Sequence, residues 1–167
     1  MPLIQPKQQG RALIEDIHAT YDGNDPHFYL WWLGQSGFLL QYRGQHLLFD
    51  PYLSDSLTRK YADTDKPHVR MTELVIEPQY LNFIDIVTSS HNHTDHLDAE
   101  TLMPLFRVNP NIAFICPEAN RDFVAQRVQC TRDWPIGMSD GDCINIMDFA
   151  FTGIPAAHNE LKRDAAG

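Results

Sequence analysis

The chain has 167 residues, 43% of them apolar, which is enough to build the core of one domain. It carries 13 Lys and Arg against 22 Asp and Glu, a formal charge of -9 with no basic run, and this argues against nucleic acid or an anionic membrane as a bulk partner. No apolar run approaches the ~20 residues of a membrane span, and Met1 to Thr20 lacks the charged start and apolar block of a secretory signal, so the expected location is the cytoplasm.

Taken in chain order, Leu13, Ile14 and Ile17 form a narrow apolar stripe that predicts a short helix over 11–19. Gly23, Asn24, Asp25 and Pro26 break it. Phe28 to Leu33, Phe38 to Tyr42 and His46 to Phe49 then read as a meander of three strands joined by glycine turns, with Trp31 and Trp32 as core and sheet-face aromatics. Residues 54–79 keep no period and hold Arg59, Lys60, Lys66, His68 and Arg70. That stretch reads either as a solvated loop or as the border of a substrate entrance whose cations meet an anionic group. His18, His27, His46 and His68 stand alone and read as surface or turn histidines.

A buried strand is predicted over 82–87, and Asp98 is suited to cap a helix over 99–108, with Pro104 expected to kink or split it. A strand over 111–116 and a helix from Pro117 to about Val128 follow. Cys143 to Ile146 and Phe149 to Ile154 read as two further strands. Alternation of strand and helix implies a partly parallel sheet covered by helices. Cys116, Cys130 and Cys143 have no C-x-x-C spacing and read as small apolar residues or free thiols.

The chemistry concentrates in Ser89-Ser90-His91-Asn92-His93-Thr94-Asp95-His96-Leu97-Asp98. If the chain leaves the preceding strand extended, His91 and His93 point to one side and converge on one ion, while Asp95 and His96 approach from the turn. Imidazole and carboxylate donors suit a divalent first-row metal. Asp50 ends the run Leu47-Leu48-Phe49 just before Pro51. It can accept the second ring N–H of a ligand histidine, or simply form the turn.

This motif resembles the signature of the metallo-β-lactamase superfamily. Trp32-Leu33-Gly34-Gln35-Ser36-Gly37-Phe38 and Leu48-Phe49-Asp50-Pro51-Tyr52-Leu53-Ser54-Asp55 are similar to the L-ascorbate-6-phosphate lactonase-like branch. The resemblance implies an α/β fold: the N-terminal half of a metallo-β-lactamase-type αββα sandwich, a mixed sheet with helices on its outer face. Residues 1–167 would form a single such domain lacking its C-terminal half, which in the family supplies a bridging Asp and a further His. The resemblance also implies that His158, in Pro155-Ala156-Ala157-His158, joins His91 and His93 on one metal while Asp95 and His96 hold a second.

The implied cofactor is one or two divalent ions, zinc or manganese, which lower the pKa of bound water toward about 7. The implied activity is a hydrolase whose metal-bound hydroxide opens a lactone or related ester, with Asp95 orienting that hydroxide or accepting a proton. Phosphodiester hydrolysis and a non-catalytic metal-binding half-domain are the alternatives. The expected partners are a small-molecule substrate, with an anionic group as one option, and either another copy of the chain or the C-terminal half; nucleic acid and membrane are not expected.

Overall fold

The structure is a computed structural model that describes residues 2–155. Helix α1 (Arg11–Ala19) buries Leu13 and Ile17, the stripe read from the sequence. Strands β1 (Phe28–Gly34), β2 (Gly37–Tyr42) and β3 (Gln45–Phe49) form the antiparallel meander, in a register that sets Trp32 opposite Phe38 and Phe38 opposite Phe49. The two-residue link Arg43–Gly44 has φ of 49° and 74° at its two positions. Such left-handed pairs match the twist of the flanking strands, which is why glycine sits at the second position.

A short helix α2 (Ser56–Lys60) follows, then β4 (Ile86–Thr88), α3 (Ala99–Val108), β5 (Ala113–Pro117), α4 (Arg121–Val128), β6 (Ile136–Met138) and the hairpin β7 (Cys143–Ile146) with β8 (Phe149–Thr152). The sheet order is β1-β2-β3-β4-β5-β6, and β3 to β6 pair in parallel. A mixed sheet carrying helices is thus the architecture, as expected.

Successive residues of the central strands face opposite ways, so each strand feeds two cores. Leu39, Leu48, Val87 and Phe114 pack with Leu13 and Ile17 of α1, Leu102 and Leu105 of α3, and Val124 of α4. Their neighbours Leu47, Ile86 and Ile115 pack on the other side, under Ile144, Ile146, Phe149 and Phe151 of the hairpin. All three long helices therefore lie on one face. The strand register continues that second face through Phe28, Leu30 and Trp32 of β1 and Phe38 of β2, all of them exposed.

Four expectations are corrected. The strand predicted over 82–87 shrinks to Ile86–Thr88, because the Ile84 N–H is taken by the Asn109 side chain at 3.0 Å instead of by a neighbouring strand. Helix α3 runs unbroken through Pro104. One missing N–H is offset there by fully buried Leu102 and Leu105 and by Asn109, whose amide donates to the Leu105 carbonyl at 2.9 Å. The irregular 54–79 stretch contains α2, and Thr72 bridges to Ile4. His46, expected at the surface, is 3% exposed and packs its ring edge-to-face on Phe83. Strand β6 was not foreseen at all. No helix among the described residues is long and apolar enough to cross a membrane.

Candidate metal centre

Parallel pairing of β3 with β4 sets Phe49 beside Thr88, so the chain leaves both strands at the same edge of the sheet. Open α/β sheets place their ligands at this carboxyl edge. Asp50 is the first residue after β3, and its amide donates to the Thr88 carbonyl at 3.2 Å. Its φ of 39° is left-handed, and Pro51 disfavours the right-handed helical backbone at this position. After β4, Ser89 N donates to the Ile115 carbonyl at 2.9 Å, and the histidine motif then leaves the sheet.

The motif is not extended, which corrects the expected geometry. It turns back on the His93 carbonyl, which accepts from His96 N at 3.0 Å and Leu97 N at 2.8 Å. That turn brings the rings together: His91 lies 4.7 Å from His93 and 4.0 Å from His96, centroid to centroid. Asp95 Oδ2 stands 3.6 Å from His96 Nε2. His158 lies outside the described residues.

Asp50, His91 and His96 each offer a ligand atom, and these atoms lie within 4.8 Å of one another. Proximity alone would make Asp50 a ligand, but its hydrogen bonds say otherwise. Oδ1 accepts from Thr88 Oγ1 at 2.9 Å and from Ser90 N at 3.0 Å; Oδ2 accepts from Ser90 Oγ and faces His96 Nδ1 at 2.7 Å. A carboxylate has about four lone-pair positions, and all four are used. Asp50 therefore holds the His96 proton on Nδ1 and leaves Nε2, on the Asp95 side, as the open donor.

Asp95 is held in turn. Gln35 Nε2 reaches its Oδ2 at 3.5 Å, and Ser36 Oγ donates to its backbone carbonyl at 2.7 Å. Burial pushes the His91 pKa down, and the adjacent His96 and His93 rings add to this against the opposing pull of Asp50 and Asp95. His91 is consequently neutral at pH 7, the state in which an imidazole lone pair can bind a metal. From α4, Arg127 Nη1 reaches the Leu97 carbonyl at 3.3 Å and Thr94 Oγ1 at 3.4 Å. The loop is thereby tied to the helix layer. Sequence reading gave no role to Gln35, Ser36, Thr88 or Ser90, although Gln35 and Ser36 lie in the family-like segment Trp32–Phe38 and Ser90 in the histidine run.

A cavity of about 480 Å³ opens beside Asp95 and His96, walled by Ile4, Trp32, Tyr52, His68, Arg70 and Met71. His68, read as a surface or turn residue, stands in this wall. Arg70 is already engaged, with Nε on Asp55 Oδ1 at 2.8 Å, Nη2 on the Ser54 carbonyl, and its guanidinium 5.1 Å over the Tyr52 ring.

Residues 29–167 match the family described as Beta-lactamase superfamily domain. The chain belongs to that superfamily. A UPF0173 metal-dependent hydrolase of the archaeon Hyperthermus butylicus is 24% identical over 141 residues, covering 83% of this chain and 54% of the relative. The mitochondrial N-acyl-phosphatidylethanolamine-hydrolyzing phospholipase D of Saccharomyces cerevisiae is 40% identical over 95 residues, 54% of this chain and 19% of the relative. The superfamily member thus spans about half the length of the first of these curated relatives and a fifth of the second. Among solved structures, CmlA, a diiron beta-hydroxylase from Streptomyces venezuelae, superposes with a TM-score of 0.52 at 19% identity, over 79% of this chain and 24% of CmlA. That likeness is one of fold.

Proposed function

We propose that the protein is a metal-dependent hydrolase that opens a lactone or a related ester. The observation that carries this is the gathering of His91, His93, Asp95 and His96 at one sheet edge, with His96 locked by Asp50 so that Nε2 is its open donor. The donor set fits a divalent ion: neutral imidazoles and one carboxylate, of the kind zinc and manganese both accept. His91 and His93, completed by His158, would hold one ion, and Asp95 with His96 a second. A bound ion supplies activated water at neutral pH and polarises the scissile carbonyl.

Everything else in the reaction falls to the chain. The cavity beside His96 receives the substrate, and since Arg70 is paired with Asp55, the wall offers it no free guanidinium among the described residues. Asp95, which Gln35 Nε2 reaches at 3.5 Å, would take up a proton and return it to the leaving alkoxide. The likeness to the UPF0173 metal-dependent hydrolase of Hyperthermus butylicus supports hydrolysis, and the segments Trp32–Phe38 and Leu48–Asp55 support the lactone.

A second reading, phosphodiester hydrolysis, is favoured by the 40% identity to the yeast phospholipase D. The test is a substrate panel on the full-length natural protein loaded with Zn²⁺ or Mn²⁺: simple lactones, p-nitrophenyl esters and bis-p-nitrophenyl phosphate. Lactone or ester opening that chelator abolishes and His93→Ala removes is the expected result. Cleavage of the phosphodiester alone would replace the first reading with the second, and cleavage of none would overturn both.

A further inference from the structure

Two separate stretches of chain bring the donors together: the one leaving β3 with Asp50 and the one leaving β4 with His91 to His96. A single carboxylate downstream of both joins them. Asp98 is 1% exposed and accepts four hydrogen bonds. Thr101 N at 3.1 Å and Thr101 Oγ1 at 2.6 Å belong to the first turn of α3, whereas Ser54 Oγ at 2.6 Å and Ser56 Oγ at 2.9 Å come from the segment that follows Asp50. Thr101 Oγ1 then accepts from Leu53 N at 2.8 Å.

An N-cap needs only an acceptor for one early helix N–H, and Asn or Ser serves as well as Asp. Capping therefore accounts for the bonds to Thr101 and leaves those to Ser54 and Ser56 unexplained. A fully satisfied buried polar network fixes the relative placement of the segments it joins. The 2.7 Å contact between Asp50 and His96 demands such placement, because Asp50 is anchored upstream of Ser54 and His96 upstream of Asp98.

We infer that Asp98 is a positioning residue for the metal centre: through Ser54 and Ser56 it sets the register between the Asp50 segment and the histidine loop, without touching the ion itself. The inference rests on the metal reading above. Asp98 lies one step further out than the direct hydrogen-bond partners of metal ligands, whose loss costs about 10- to 100-fold in affinity, so its effect falls at or below the lower end of that range.

The test uses the full-length protein, Co²⁺ as a visible probe and a competing chelator, with Ser54→Ala/Ser56→Ala and Asp98→Asn as variants. The double alanine variant keeps the cap, and Asp98→Asn keeps a capping oxygen while presenting an amide to the serine hydroxyls. Both should bind Co²⁺ several-fold more weakly, by up to about tenfold, and shift its absorption spectrum. In the double variant the metal-free protein should still melt as a folded domain with unchanged far-UV helix signal. If Asp98→Asn does not fold, the double variant alone decides. Wild-type affinity and spectrum in the double variant would overturn the inference and leave the metal reading standing. Wild-type protein that takes up no Co²⁺ would overturn both.

Discussion

Replacing Asp50 with Asn removes one charge and almost no volume, so its effect isolates what the carboxylate does for His96. The asparagine oxygen can still accept from Thr88 Oγ1 and Ser90 N. Its amide then occupies the Oδ2 position, where it meets the Nδ1–H of His96 across 2.7 Å, donor against donor. The ring escapes by moving its proton to Nε2, where Nδ1 becomes the acceptor. Nε2 is the atom on the Asp95 side, so this tautomer withdraws a ligand. Outer-partner substitutions cost about 10- to 100-fold in metal affinity, roughly 1.4–2.7 kcal/mol. A Zn²⁺ competition titration measures the loss, and ¹⁵N chemical shifts of His96 report the tautomer. Unchanged affinity with the His96 proton still on Nδ1 would refute the argument that Asp50 acts by fixing the ring.

A pH titration tests His91. Its folded pKa lies below the ordinary imidazole value of about 6.5, so below that pH the unfolded chain binds more protons than the folded one. Metal-free protein should therefore lose stability as pH falls through 6.5 and metal should dissociate over the same range; urea midpoints and metal content at pH 7.5 and 5.5 check both. Burial pushes the Cys116 thiol up to about 11, whereas Cys143 is exposed, so a thiol reagent at pH 8 should label Cys143 in the native protein and reach Cys116 only on unfolding. Gly153→Ala would force a Cβ into the Ser139 carbonyl oxygen, a backbone atom that cannot swing aside, and should cost about 1–3 kcal/mol in denaturant unfolding.

What could be read from the sequence is what short stretches decide by themselves. Helix α1 follows from Leu13 and Ile17, the meander from its glycine turns, and the histidine loop from the density of donors in one run. The orienting role allowed for Asp50 needed only its position after an apolar strand. What stayed illegible depends on partners distant in the chain. The three residues of β6, with Gly137 at the centre, are a strand only because β5 lies beside them. His68 enters the cavity wall because its segment returns past Tyr52, and His46 is buried because Phe83 covers it. Ser90 reads as a linker residue until the β3 and β4 ends meet and its hydroxyl finds Asp50.

The sheet places its six strands side by side in the order in which they occur in the chain. During synthesis each new strand thus finds its neighbour already made, and the sheet can extend at one growing edge as the chain leaves the ribosome. Asp50, His91, His93, Asp95 and His96 all precede α3, whereas Ile115 of β5 and Arg127 of α4, which hold the histidine loop to the sheet and to the helix layer, are made later. A nascent chain that has emerged only through Thr101 already carries these five side chains and the Asp98 bridge between their segments. The histidine loop is therefore synthesised before the two partners that fasten it, and its final placement waits on β5 and α4.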